Sequence, residues 1–201
     1  MKPGLALRYR PETFEQITGQ RLTATVLSRM VERDLIPTGL LFSGPSGVGK
    51  TTAARVFAKS LNAGEEHEVI EIDGASNGGV ESIRQLIAAL RYGHAGRYRV
   101  VIIDEAQSVT EAGFNALLKT LEEPPAGTVF VLVTTEPENV PKTIRSRVIE
   151  FPFQRLTPGD IFTRLSFIDG AEHLGMNPDV MKDIAQRLSL IHISEPTRPR
   201  L

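Results

Sequence analysis

A phosphate-binding loop is the clearest chemical feature of this sequence. Residues 44–51 read GPSGVGKT and fit the pattern G-x-x-x-x-G-K-[ST] at every fixed position. The loop follows the apolar run 39–42 and precedes a predicted helix that ends at Leu61, so the context is strand, loop and helix. An ordinary glycine-rich turn is the alternative, and this context argues against it.

The pattern assigns a role to particular residues of the loop. Backbone amides wrap the phosphates, Lys50 reaches the β- and γ-phosphates, and the Thr51 hydroxyl ligates Mg²⁺. We therefore expect the phosphates of a nucleotide to contact the following residues: Gly44, Pro45, Ser46, Gly47, Val48, Gly49, Lys50, Thr51 and Thr52.

Two adjacent acids follow the apolar run 100–103. A buried parallel strand would deliver Asp104 to the carboxyl edge of the sheet, where ligands of α/β proteins bind. We expect Asp104 to hold Mg²⁺ through water and Glu105 to act as general base on the attacking water. Acidic pairs after strands can also cap helices, but the loop upstream favours ATP hydrolysis. Gln107, where DEAD- and DEAH-like sequences usually carry another residue, receives no role.

Thr134 and Thr135 end another predicted strand. A polar side chain at that point can align the lytic water or sense the γ-phosphate. A plain strand end is the alternative, and the residues alone leave it open.

Two arginines, Arg145 and Arg147, precede the last apolar run. They could be solvated charges at a helix end, where the helix dipole favours cations. A phosphate-binding loop with a base and metal ligands still lacks a cation for the charge of the transition state. An arginine can supply that cation from the same subunit or from a neighbour, and such a group is worth about 10³–10⁵ in rate.

The elements that must position these residues alternate between strands and helices, which is typical of a parallel α/β sandwich. Residues 74–79 predict a loop, and 153–187 indicate the start of a second, helical domain. The predicted strands are 39–42, 67–72, 98–104, 128–135 and 148–151, and the later predicted helices are 80–92, 111–123 and 177–187.

Composition bounds the class of protein. The 201 residues allow one sizeable core and a small second domain. A net charge of −1 gives no bulk attraction to nucleic acid, so any DNA contact would be a local patch. Cysteine is absent, which excludes disulfides and cysteine-ligated zinc. No apolar run has membrane-spanning or signal-peptide character, so we expect a soluble intracellular protein.

The end of the chain departs from the pattern before it. Periodicity stops after Leu188, and a natural flexible tail is one interpretation. Residues 188–198, however, match the conceptual translation of a transposase adapter from sequencing libraries. We therefore interpret 188–201 as an artefact that is not native, and we expect the native protein to continue beyond Arg187.

Five stretches together resemble the gamma/tau subunits of bacterial DNA polymerase III, the ATPases of the clamp loader. They are LALRYRPETFEQITGQ (5–20), GPSGVGKTT (44–52), EIDGASNGGVESIRQL (71–86), IIDEAQSVTEAGFNALLKTLEEPP (102–125) and VTTEPENVPKTIRSRVIEFPFQRL (133–156). The resemblance covers nearly all of 5–187, and a phage-encoded version of the family is compatible with it.

The resemblance implies an AAA+ P-loop ATPase domain in 1–152, with a parallel five-stranded sheet between helices, and part of a helical lid domain in 153–187. It implies ATP and Mg²⁺ as ligands, and a motor subunit in the bacterial cytosol that loads the sliding clamp onto primer–template DNA. The implied partners are other clamp-loader subunits in a ring, the sliding clamp and primer–template DNA, with no membrane.

The resemblance also assigns residues. Arg147, in the motif that reads Ser-Arg-Val here, would be an arginine finger for the ATP site of the neighbouring subunit. The segment Tyr9, Arg10 and Pro11 would lie near the adenine, and Thr135 would be the first sensor of the γ-phosphate.

Three departures from the family pattern are visible. Residues 62–68 replace a four-cysteine zinc module, so we expect no zinc. Val148 stands where the finger motif usually has cysteine, and Gly78-Gly79 replaces a loop that often carries a basic residue near DNA.

Two other functions remain as alternatives. The first is a related AAA+ motor for branch migration or helicase loading, in which LLKTLEEPP is not expected. The second is a non-hydrolysing scaffold subunit, which would not need all four of Lys50, Thr51, Asp104 and Glu105.

Overall fold

The computed structural model of the chain describes residues 4–62, 69–93 and 96–191, with side chains as far as Ser189. The predicted artefact from 188 onward therefore lies largely outside the described residues, and so do positions 63–68 of the segment expected to replace the zinc module.

A five-stranded parallel sheet forms the centre of the molecule, with the strand order β2-β3-β4-β1-β5. The strands are β1 (Gly39–Ser43), β2 (Val69–Asp73), β3 (Arg99–Asp104), β4 (Thr128–Thr134) and β5 (Ile149–Pro152). Their positions confirm the predicted parallel α/β fold to within one or two residues at most ends. The chain segments that follow β1, β3 and β4 consequently leave the sheet at the same edge.

Helices cover both faces of the sheet. Along β3, Val100 and Ile102 pack on one face, whereas Val101 and Ile103 pack on the other. This alternation gives the sheet two apolar faces, each of which is buried by helices. The helices are α1 (Leu5–Arg8), α2 (Arg21–Glu32), α3 (Lys50–Leu61), α4 (Gly74–Asn77), α5 (Val80–Leu90), α6 (Glu111–Glu122), α7 (Lys142–Arg145), α8 (Pro158–Glu172) and α9 (Pro178–Ile191).

Two predictions about local structure were wrong. The predicted loop 74–79 begins with the short helix α4, because the Asp73 carboxylate accepts a hydrogen bond from the Ala75 amide at 2.9 Å and caps it. The last helix was predicted to end at Arg187, whereas α9 continues to Ile191. Over the described part of the chain, no helix combines the length and apolar character needed to cross a bilayer.

Candidate nucleotide-binding site

The loop between β1 and α3 depends on glycine geometry. Gly44, Gly47 and Gly49 adopt φ values of 138°, 74° and 97°, which side chains other than glycine rarely tolerate. At Gly44 a Cβ atom would also lie 2.3 Å from the carbonyl oxygen of Phe153, whereas at Gly49 it would meet nothing within 4 Å. The loop therefore approaches the backbone after β5 closely on one side and leaves open space at the start of α3.

This difference predicts unequal costs for two similar substitutions. Gly49→Ala should lower the free energy of unfolding by about 1–2 kcal/mol, which is the cost of left-handed backbone for a residue with a Cβ. Gly44→Ala should cost about 1–3 kcal/mol more, because its methyl group overlaps the Phe153 carbonyl as well. Urea denaturation of both variants measures the two losses. Equal losses would contradict the close approach at Gly44.

Lys50 begins α3 and lies beneath the loop. Its side chain is 7% exposed, and its Nζ donates to the carbonyl oxygens of Gly44 and Pro45 at 2.7 Å each. Burial lowers the pKa of Lys50, while the nearby carboxylates of Glu105 and Asp104 oppose that shift. The ammonium group is thus held within the loop by weak acceptors that a phosphate oxygen can replace.

Thr51 and Asp104 form a pair of oxygen ligands suited to Mg²⁺. Thr51 donates from Oγ1 to Asp104 Oδ2 at 2.8 Å, although the two residues belong to α3 and β3. Mg²⁺ prefers hard oxygen donors and is usually held by one or two carboxylates together with substrate phosphates. The residues present therefore fit the predicted ion. The described residues contain no cluster of three or more His, Cys, Asp or Glu side chains that could hold a metal by themselves.

Glu105 follows β3 and is presented to solvent by unusual backbone geometry. Its φ and ψ are 48° and 46°, a left-handed conformation that costs energy for a residue with a side chain. Its amide donates to Asp104 Oδ1 at 2.9 Å, and its Oε2 accepts from Gln107 Nε2 at 2.5 Å. Asp104 and Glu105 are therefore adjacent but differ in their contacts, since one accepts from Thr51 and the other from the Gln107 amide.

A cavity of about 280 Å³ brings these groups together. The loop, the end of β3 and the end of β4 all contribute to it, as their shared sheet edge predicts. Its lining includes Arg10, Ser46, Gly47, Gly49, Lys50, Thr51, Thr52, Asp104, Glu105, Val133, Thr134 and Thr135.

The segment predicted to lie near adenine is divided between three environments. Arg10 lines the nucleotide cavity and also an adjoining groove, and Pro11 lines that groove. Tyr9 instead turns toward α8, where its hydroxyl donates to Glu172 and its ring meets Phe167 edge-on at 6.2 Å. Of the three predicted residues, Arg10 is the one that the structure places at the cavity.

Arg147 lies away from the cavity. Its Nε and Nη2 donate to Glu122 Oε1 at 2.8 and 2.5 Å, and its Nη1 donates to the Thr143 carbonyl at 2.6 Å. The side chain is therefore held at the end of α6 and is not part of the cavity lining. Arg145 is half-buried, and its Nε has no hydrogen-bond partner among the described residues.

Two glutamines contribute to the site although sequence reasoning gave neither a role. Gln20 is 4% exposed and binds both the carbonyl and the amide of Gln154, at 2.6 and 3.1 Å, beside the Val48 carbonyl of the loop. Gln107 contacts Glu105 and the end of β4. A polar residue two positions after Glu105 was the available signal for Gln107. Gln20 offered no comparable signal.

Comparison with known proteins shows that the chain is similar to subunits of DNA polymerase III. A family model described as "DNA polymerase III, delta subunit" matches residues 62–157, which include the acid pair and Arg147 but not the loop 44–51. DNA polymerase III subunit tau of Bacillus subtilis is 39% identical over 88% of this chain and 35% of its own length. The gamma/tau subunit of Mycobacterium bovis is 42% identical over 75% of this chain and 30% of its own length.

The Escherichia coli tau subunit is 37% identical over 90% of this chain and 32% of its own length. The chain thus spans about a third of the length of these relatives. The similarity confirms the resemblance to gamma/tau that the sequence motifs indicated.

Solved structures support the same fold. A variant of Thermotoga maritima RuvB superposes with a TM-score of 0.76 at 20% identity, covering 89% of this chain and 60% of RuvB. The T. maritima RuvB Holliday junction branch migration motor gives a TM-score of 0.75 at 21% identity with the same coverage. These similarities confirm the predicted AAA+ P-loop fold, and at such identities they concern the fold alone.

Proposed function

We propose that this chain, which is 37–42% identical to gamma and tau subunits of bacterial DNA polymerase III over 75–90% of its length, is an ATP-hydrolysing motor subunit of the clamp loader. In this proposal, ATP binding lets a ring of such subunits open the sliding clamp and hold primer–template DNA. Hydrolysis, triggered by DNA, then releases the closed clamp. The subunit works in the bacterial cytosol and does not itself polymerise DNA.

One observation carries the ATPase part of the proposal. Lys50, the Thr51–Asp104 pair and Glu105 all line one cavity of about 280 Å³, although they come from two separate parts of the sequence. These are a phosphate-binding cation, two ligands for Mg²⁺ and a carboxylate in reach of solvent. Together they supply what in-line attack of water on a γ-phosphate requires, apart from a second cation.

The reaction divides among these residues as follows. Glu105 accepts a proton from the attacking water, whose oxygen forms a new bond to the γ-phosphorus. The bond between that phosphorus and the bridging oxygen breaks, so ADP and inorganic phosphate leave. Lys50 and the loop amides stabilise charge on the phosphate oxygens during this step. Mg²⁺, held by Thr51 and Asp104, supplies further charge neutralisation when it is bound.

Lys50→Ala tests the assignment of the loop. The variant should bind ATP about 100-fold more weakly, because it loses a charged hydrogen-bond donor to the β- and γ-phosphates. Fluorescence titration with a labelled ATP analogue in the presence of Mg²⁺ gives the dissociation constant. Lys59→Ala is the matched control, since Lys59 lies on the same helix but pairs with Glu12 at 3.5 Å instead. Unchanged ATP affinity in Lys50→Ala would refute the phosphate-loop assignment.

The alternative functions have weaker support. Similarity to RuvB concerns the fold, so it does not favour branch migration. A non-hydrolysing scaffold could match the delta-subunit model, but it has no need for a complete loop, a Thr51–Asp104 pair and a base. The curated gamma/tau relatives extend over the loop as well as the acid pair, and this supports the motor subunit.

A further inference from the structure

A hydrogen-bonded cluster behind the nucleotide cavity centres on the side-chain amide of Gln107. Its Nε2 donates to Glu105 Oε2 at 2.5 Å and to Thr135 Oγ1 at 3.0 Å. Its Oε1 accepts from Thr134 Oγ1 at 2.7 Å. Both N–H groups and the carbonyl of this amide are therefore used within one site.

The position of Gln107 differs from that of its partners. Glu105, Thr134 and Thr135 all line the nucleotide cavity, whereas Gln107 does not and lies half-buried in the short helical turn Ala106–Ser108. It thus joins the end of β3 to the end of β4 from behind, without contacting the space that a nucleotide would fill.

The orientation of the amide follows from its neighbours. Thr134 is 1% exposed, its hydroxyl oxygen accepts from the Glu136 amide at 3.0 Å, and its proton is donated to Gln107 Oε1 at 2.7 Å. A flipped amide would place its carbonyl oxygen against the Glu105 carboxylate, where two acceptors would face each other. The acceptor-only Glu105 carboxylate therefore favours the orientation in which the N–H groups point to Glu105 and Thr135 and the carbonyl accepts from Thr134.

Glu105 needs such a partner because it is otherwise free to move. Its side chain is exposed, and an unrestrained glutamate samples many rotamers. A general base must be held within hydrogen-bond reach of the water that it deprotonates. The Gln107 amide restrains the Glu105 carboxylate and sets its position relative to Thr135, which also lines the cavity.

We propose that Gln107 is a positioning residue for ATP hydrolysis, which holds the base Glu105 and the phosphate-facing Thr135 in a fixed relation. This inference rests on the proposed ATPase function and deepens it. Gln107 acts through Glu105 and contributes nothing to nucleotide binding itself.

Steady-state hydrolysis by the full chain, assembled with clamp-loader partners, tests the inference. Gln107→Met keeps the size of the side chain but removes both donors, so kcat should fall at least 10-fold while KM for ATP changes less than twofold. The dissociation constant of Mg·ADP should also stay within twofold, whereas Mg·ADP with aluminium fluoride, a mimic of the transition state, should bind at least 10-fold more weakly. Gln186→Ala, on the exposed surface of α9, is the matched control.

A double-mutant cycle separates positioning from a merely structural role. In single-turnover assays, Gln107→Met should have no further effect on a chain that already carries Glu105→Gln, because Gln107 acts through the Glu105 carboxylate, which that chain has already lost. A full kcat in Gln107→Met, or an additional 10-fold loss in the double variant, would overturn the inference. Retention of the wild-type rate by Glu105→Gln alone would instead refute the proposed base, so the two failures are distinguishable.

Discussion

Replacing Arg147 with alanine should lower the ATPase rate of the assembled subunits by a factor of about 10³–10⁵ and leave ATP affinity unchanged. The guanidinium would stabilise charge that develops on the transferred phosphoryl group, so its loss affects the transition state rather than binding. The expected fall in rate is large because arginine fingers act in a site that excludes water.

The structure explains why this effect should require assembly. Arg147 is held by Glu122 and the Thr143 carbonyl at the end of α6, and it does not line the cavity of its own chain. To serve a phosphate, the side chain must leave Glu122 and enter the site of a neighbour. We therefore expect ATP binding by a single chain to be independent of Arg147.

Malachite-green detection of released phosphate measures the assembled rate, and Lys142→Ala provides a control on the short helix α7, which ends just before Arg147. Mixing Arg147→Ala chains with Glu105→Gln chains is a sharper test. In the mixture, some interfaces pair the Glu105 of an Arg147→Ala chain with the Arg147 of a Glu105→Gln chain. Those interfaces have both groups, so the mixture should recover activity. Equal loss of hydrolysis in an isolated Arg147→Ala chain would show that the finger acts within its own subunit.

Glu105→Gln should lower the rate of ATP turnover by about 10²–10⁴ without weakening ATP binding. Glutamine has nearly the same shape but cannot accept the proton of the attacking water. Asp104, which pairs with Thr51, remains in place to hold Mg²⁺, so the affinity for Mg·ATP should stay within a few fold.

Quenched-flow hydrolysis combined with equilibrium binding of labelled ATP checks both halves of this prediction. Glu111→Gln, which makes the same chemical change at an exposed position at the start of α6, serves as control. A parallel fall in ATP affinity would indicate that Glu105 holds the nucleotide or its metal rather than acting as a base.

Sequence reasoning succeeded where the signal is local. Buried parallel strands are apolar along their whole length, so β1, β3 and β4 could be located almost to the residue. The loop pattern places Lys50 and Thr51 by spacing alone, and the acid pair follows directly from the end of β3. The cavity that joins these groups follows from the parallel order of the strands.

Features that depend on distant contacts could not be read in this way. Gln107 contacts Thr134 and Thr135 because β3 and β4 are neighbours in the sheet. The spacing of these residues in the sequence does not indicate that contact. Tyr9 turns to Glu172 on α8, far along the chain, a contact that no local pattern indicates, and its place near the adenine stays a prediction. The helix α4 was missed because its glycine-rich sequence favours a loop, whereas the cap from Asp73 stabilises a helical turn.

ATP hydrolysis by an assembly of this chain with clamp-loader partners, measured with and without the sliding clamp and primer–template DNA, tests the central claim most directly. A motor subunit should hydrolyse ATP faster when clamp and DNA are both present, and Glu105→Gln should remove that stimulated rate. A complete lack of ATP hydrolysis would contradict an ATP-driven role in clamp loading. So would a hydrolysis rate that is the same with and without clamp and DNA and is unaffected by Glu105→Gln.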